Sequence, residues 1–150
     1  MGIISDTHGL MREEALTALQ GSELIIHAGD IGKPEVLERL RQTAPVLAVR
    51  GNNDRDPWAQ GLPLTETIEI AGHRLYLLHD LSELDIDLRA AGFAAVISGH
   101  SHKPAAHARE GVLYLNPGSA GPRRFKLPVS VARLRVSERG LEHEIVELGV

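Results

Sequence analysis

Five short aliphatic runs constrain this chain more than any other feature. They are Gly2-Ile3-Ile4, Leu24-Ile25-Ile26, Val46-Leu47-Ala48-Val49, Leu75-Tyr76-Leu77-Leu78 and Ala94-Ala95-Val96-Ile97. Their length and lack of alternation suit strands buried on both faces. Each run ends in the same kind of polar side chain: Asp6-Thr7-His8, Gly29-Asp30, Gly51-Asn52-Asn53-Asp54, His79-Asp80 and Gly99-His100-Ser101-His102. In open α/β sheets, ligands bind beyond the carboxyl ends of the strands. The pattern therefore predicts one crevice, supplied with oxygen and imidazole groups by five separate segments.

Between the runs lie helical patterns. Met11 to Gln20 puts Ala15, Leu16 and Leu19 on one face and stops at Gly21. A second helix opens at Pro34 and buries Val36, Leu37 and Leu40. Ser82-Glu83-Leu84-Asp85 reads as a capping box for a third, with Leu84, Leu88 and Ala91 as its stripe and Gly92 as its end. Elsewhere the period falls to two. Ile68 and Ile70 alternate with Thr67 and Glu69 before a turn at Ala71-Gly72-His73; Ala132, Leu134 and Val136 alternate before the Ser137–Gly140 turn and a last strand, 141–148. The expected fold is an α/β two-sheet sandwich, βαβ-like in its N-terminal half and built of antiparallel hairpins in its C-terminal half. With 150 residues, one domain spanning 1–150 is expected.

Composition narrows the chemistry. The absence of cysteine excludes disulfides, thiolate metal sites and a cysteine nucleophile. Eight histidines stand against two Tyr, two Phe and one Trp, and histidine is the commonest metal ligand. Net charge is −4, so no broad footprint for nucleic acid is expected, although a local basic patch stays open. Met1-Gly2-Ile3-Ile4 runs directly into Ser5-Asp6, too short for a signal-peptide core, and no apolar run reaches membrane-spanning length. A cytoplasmic protein is expected; a homo-oligomer is compatible with the sequence.

Seven groups carry the expected site: Asp6, His8, Asp30, Asn52, His79, His100 and His102. Asp6 and His8 are two residues apart, as are His100 and His102; in extended chain, such pairs project to one side. Carboxylate, carboxamide and imidazole together suit manganese, with iron, zinc or nickel as alternatives, better than copper or calcium. Seven groups exceed one tetrahedral ion and match two. Paired ions activate water and clamp an in-line displacement at phosphorus.

Asp6-Thr7-His8-Gly9, Gly29-Asp30, Gly51-Asn52-Asn53-Asp54 and Gly99-His100-Ser101-His102, in that order, resemble the calcineurin-like metallophosphoesterases. His27-Ala28-Gly29-Asp30 and Asn116-Pro117-Gly118-Ser119 look like the small bacterial and archaeal phosphodiesterase branch. The resemblance implies a two-sheet sandwich and hydrolysis of a small phosphodiester, with Asp30 bridging two ions and Asn52 helping to stabilise charge. Site one would be Asp6, His8, Asp30 and His102; site two would be Asp30, Asn52, His79 and His100. It also leaves two rivals: a phosphomonoesterase or nuclease at the same site, or a protein-binding scaffold, as in the eukaryotic retromer coat. Three departures stand out. Asn53 occupies the place of a leaving-group histidine, and Asp80 follows His79 where the branch usually has glycine. The first strand is short. His27 is either a partner of the ligand loops or a hydrogen-bonded core histidine; Asp54 either braces the loop carrying Asn52 or caps a local turn.

Overall fold

The computed structural model describes residues 1–150. Strands β1 (Gly2–Ile4), β2 (Ile25–His27) and β3 (Val46–Ala48) are joined by helices α1 (Glu13–Ala18) and α2 (Pro34–Arg41). Then follow β4 (Thr65–Ile70), β5 (His73–Leu78), β6 (Phe93–Ile97), β7 (Ala105–Arg109), β8 (Val112–Asn116), β9 (Ser130–Ser137) and β10 (Gly140–Glu147). They form two five-stranded sheets, ordered β10-β9-β1-β2-β3 and β4-β5-β6-β8-β7. The α/β two-sheet architecture is as expected. No helix is long and apolar enough to cross a membrane.

Burial explains why the first strands lack alternation. Ile3 and Ile26 point between the sheets, where they meet Leu75, Leu77, Ala95, Ile97 and Leu115. Their neighbours Ile4 and Ile25 point the other way, onto Ala15, Leu19, Val36 and Leu40 of the two helices. Both faces of the first sheet are thus covered, and only aliphatic side chains suit every position. Each fully buried side chain of this size contributes roughly 1.5–3 kcal/mol. The central layer is therefore the firm base from which the ligand loops emerge.

The C-terminal half is less simply antiparallel than expected. The β4–β5, β7–β8 and β9–β10 hairpins form, but β5, β6 and β8 pair in parallel. The β9–β10 hairpin returns to the first sheet, pairing antiparallel with β1. Parallel pairing aligns the carboxyl ends of β1, β2 and β3 in one sheet and of β5 and β6 in the other, and the side chains that follow all five strands meet at one rim.

The third helix does not form. Ser82 does not cap Asp85; Asp80 instead accepts from the Ser82 backbone N–H and hydroxyl, making one tight turn over Leu81–Glu83. Leu84 then takes an extended conformation, ψ 121°, and Asp87 receives the Ala90 N–H in a second turn. Asp side chains compete in this way with helical hydrogen bonding. The apolar residues still find a core: Leu84, Ile86 and Leu88 cover Tyr76, Phe93 and Val96 on the outer face of the second sheet.

Candidate metal centre

All seven residues named from the sequence meet at this rim. His8 Nε2 lies 3.7 Å from Asp6 Oδ1 and 3.8 Å from Asp30 Oδ2. His102 Nε2 lies 3.4 Å from Asp6 Oδ1 and 3.3 Å from His8 Nε2. His79 Nε2 sits 3.3 Å from Asp30 Oδ2 and 3.9 Å from Asp6 Oδ1. His100 Nδ1 faces Asn52 Oδ1 at 3.2 Å, and its ring stands edge-on to His79 with centroids 5.2 Å apart. Two triads, Asp6–His8–His102 and Asp6–Asp30–His79, each gather their ligand atoms within 4.8 Å of one another.

The paired ligands converge by turns, not by the extended chain the spacing suggested. Asp6, His8, Asp30, His100 and His102 all have positive φ, between 46° and 71°. Non-glycine residues in this left-handed region cost of order 1–3 kcal/mol each and cluster at functional sites, where the surroundings over-determine them. Five of the eight such residues in the chain are here. The surroundings that hold them are visible. Asp54, nearly fully buried, accepts four backbone N–H bonds: from Asp30 and Gly51 on one oxygen (2.9 Å each), and from Ile31 and Gly32 on the other (2.9 and 3.1 Å). It therefore braces the Asp30 loop as well as its own. Ser119 donates to the Asp6 carbonyl at 3.0 Å, and Asn116 Nδ2 to the Gly99 carbonyl at 2.9 Å. The Asn116–Ser119 turn thus ties both histidine-bearing loops together.

Close backbone approach completes the frame. A Cβ on Gly51 would stand 2.1 Å from Asp30 Oδ1, and one on Gly99 would stand 2.0 Å from Ser5 Oγ. Neither position has room for any side chain.

His27 is a core histidine held by hydrogen bonds, and it also reaches the ligand loops. Its Nδ1 accepts the Gly29 N–H at 3.1 Å, so the ring proton is on Nε2, which donates to Thr7 Oγ1 at 3.0 Å. Thr7 passes the chain on to the Ile31 carbonyl at 2.8 Å. Complete burial pushes the His27 pKa down to about 3, so the ring stays neutral.

Asn53 has a place that the sequence did not reveal. Its backbone N–H and its amide donate to the two oxygens of Asp30 at 2.9 and 3.0 Å. Asp80 is similarly resolved: its Oδ2 lies 3.6 Å from His100 Nε2, the nitrogen turned away from Asn52. Arg55 donates to the Asn52 carbonyl and Arg50 to Gln60, both in exposed hydrogen bonds to neutral acceptors. A cavity of about 670 Å³ lies at the far end of the first sheet around Met1, Glu23 and Arg133. None of the seven residues lines it.

The electrostatics of the rim are those of a site short of positive charge. Asp6 is fully buried, which by itself would raise its pKa, yet the neighbouring His102 and His8 imidazoles, the Ser5 hydroxyl and His79 drive it well below the usual carboxylate range. His79, also buried, would be lowered by desolvation, but Asp30, Asp6 and the Ala28 carbonyl raise it to about 9. That carbonyl accepts from His79 Nδ1 at 2.7 Å, which leaves Nε2 to face the carboxylates. Asp6 Oδ1, His79 Nε2 and His102 Nδ1 are buried without any hydrogen-bond partner, as is Arg12 Nε. Buried polar atoms are rarely left so, and an ion is one of the recognised reasons.

The description "Calcineurin-like phosphoesterase superfamily domain" matches residues 1–139. The chain is 35% identical to a probable metallophosphoesterase of Methanothermobacter thermautotrophicus, over 99% of this chain and 92% of that one. It is 30% identical to the phosphodiesterase YfcE of Escherichia coli K12, over 87% and 84% of the two chains. A solved structure of wild-type Vps29 from Entamoeba histolytica, complexed with zinc, superposes with a TM-score of 0.76 at 25% identity, covering 99% and 100%. A matched family over nearly the whole chain, on a frame that gathers buried carboxylates and imidazoles, settles the classification: this chain belongs to the calcineurin-like phosphoesterase superfamily, the metal-dependent phosphoesterases.

Proposed function

We propose that the chain hydrolyses phosphodiesters with two divalent cations, manganese first, held by Asp6, His8, Asp30 and His102 on one side and Asp30, Asn52, His79 and His100 on the other. The observation that carries this reading is that two ligand-type atoms facing one another across the rim, Asp6 Oδ1 and His79 Nε2, are buried without hydrogen-bond partners. Two almost fully buried carboxylates, Asp6 and Asp30, need compensating positive charge beyond neutral imidazoles. Asp30 is the candidate bridge that the family resemblance implies; its Oδ2 lies within 4 Å of one histidine from each set, as Asp6 Oδ1 also does.

When bound, such ions supply an acidified water and neutralise charge on the phosphoryl oxygens. The protein's own part is positional. Ala28 fixes the His79 tautomer, Asp54 locks the Asp30 loop, and Asp80 faces the outer nitrogen of His100. Asn52 Oδ1 faces His100, and its amide group is left to meet a substrate oxygen. Asn53, with its amide committed to Asp30, offers no acid for the leaving group, so diesters of acidic alcohols are favoured. The relative named phosphodiesterase supports a diester as substrate.

An assay of the purified protein on bis(4-nitrophenyl) phosphate tests this. Turnover that rises with added Mn²⁺ and is lost in His8→Ala and Asp30→Asn is expected; metal-indifferent or absent turnover contradicts it. A scaffold is the second reading, supported by the resemblance to Vps29 and by Phe125, which is 90% exposed beside Arg123 and Arg124. A protein that binds no metal and turns over no phosphoester would favour it.

A further inference from the structure

Beside the seven-residue rim lies a separate pocket of about 230 Å³ on the outer face of the second sheet. His100, Lys103, Ala105, His107, Tyr114 and Asn116 line it. His107 and Tyr114 are cross-strand partners on β7 and β8, and their rings stack at 5.3 Å with planes 12° apart. Its opening is set by the loop after β6, which Asn116 pins through Gly99 and Ser101. The volume falls below the roughly 300–1,000 Å³ of pockets for drug-sized ligands, and suits a single ring.

Building on the reading of the rim as a phosphodiesterase centre, we infer that this pocket receives the aromatic ring of an aryl ester leaving group. Three observations converge. His100 belongs to both the pocket and the rim, so a ring seated there would adjoin the proposed centre. The stacked His107–Tyr114 pair and Ala105 offer an apolar, aromatic wall for a flat group. Lys103 and Asp80 both line the pocket, so its wall carries one cation and one anion, and Asn53 provides no proton; the Lys103 side is the one that suits a leaving group departing as an anion.

The step balances without further reactants. A water oxygen bonds to phosphorus and the phosphorus–aryl oxygen bond breaks. The electron pair leaves on the aryl oxygen as an aryloxide beside Lys103, and the water's proton passes to solvent. The products are a phosphomonoester and a phenol, once the aryloxide takes up a solvent proton.

The experiment compares methyl phenyl phosphate with methyl hexafluoroisopropyl phosphate, whose alcohols have similar acidity, in the manganese-loaded protein. The wild type should prefer the aryl ester in kcat/KM by about tenfold, the size of one good ring contact. Ala105→Phe fills the pocket and should abolish that preference while leaving the alkyl ester within about twofold. Lys103→Met, an exposed change that leaves folding intact, should lower kcat more than it raises KM, and only for the aryl ester. Turnover with no aryl preference, or with one unchanged in both variants, overturns the subsite but leaves the phosphodiesterase reading standing. No turnover on either ester, nor on bis(4-nitrophenyl) phosphate, removes that reading. The pocket is then judged by phenol binding to the metal-free protein, followed by amide chemical shifts. Shifts at Ala105, His107 and Tyr114 that vanish in Ala105→Phe support it, and their absence overturns it.

Discussion

The Asp54 carboxylate receives the backbone N–H of Asp30 at 2.9 Å, across a gap of 24 residues. The same carboxylate holds three more backbone donors, so one side chain that touches no proposed cation fixes the loop that carries a central one. Asp54→Ala would leave several buried N–H groups without acceptors, at about 1–3 kcal/mol each. A loss of about 3 kcal/mol or more is expected in urea unfolding, together with weaker metal binding. Asp54→Asn keeps one carbonyl acceptor and should fall between.

Stability of the metal-free protein should peak near pH 6.5. His79 has its folded pKa raised to about 9 from 6.5, so its stabilisation is complete below pH 6.5 and fades as pH rises toward 9. His27 is displaced the other way, to about 3. The unfolded chain takes up its proton below pH 6.5 while the folded chain does not, so stability also falls as pH drops toward 3. Each of these two groups contributes a limiting slope of about 1.4 kcal/mol per pH unit, and His8, whose pKa Asp6 also raises, steepens the alkaline limb. Chemical denaturation in excess chelator across pH 4–9 measures the dome; His79→Gln should flatten its alkaline limb.

Asp80 lies 3.6 Å from the outer nitrogen of His100 and is tethered by Ser82. Partners of this kind set the orientation of an imidazole ligand, and losing one typically costs 10–100-fold in metal affinity. Asp80→Asn should weaken binding of one ion by about tenfold, with little change in thermal stability, in a calorimetric manganese titration. Equal affinity in the variant would make Asp80 an ordinary turn residue.

Gly99 is a packing requirement, because a Cβ there would overlap Ser5 Oγ at 2.0 Å and approach Asp6 Oδ2 at 2.6 Å. Gly99→Ala should displace Asp6 and abolish activity. A hydrogen-exchange map should show the loss of order around Ser5, Asp6 and His100. Gly61, with nothing near its Cβ position, should accept alanine without consequence.

Much of this was legible in the chain because burial on both faces leaves an unmistakable aliphatic run, and because each run ended in ligand-type side chains. Ile3, Ile26 and Ile97 announced their strands, and all seven named residues did meet. The segment from Ser82 to Gly92 misled because its apolar spacing is helical while its aspartates prefer local turns, and only the tertiary setting of Asp80 decides between them. The hydrogen bonds from Asn53 to Asp30 and the fourfold grip of Asp54 carry no periodic signal. Apart from the local Gly51 N–H, they are contacts between loops distant in sequence, and composition cannot reveal them. The left-handed backbone at Asp6, His8, His100 and His102 was hidden for the same reason, since spacing of two residues suggests extended chain.

Crystals soaked in manganese and measured at a wavelength sensitive to its anomalous scattering test the central claim most directly. Two peaks about 3.5–4 Å apart, enclosed by Asp6, His8, Asp30, Asn52, His79, His100 and His102, are the expected result. A rim with no peak, or one ion bound elsewhere on the molecule, would contradict it.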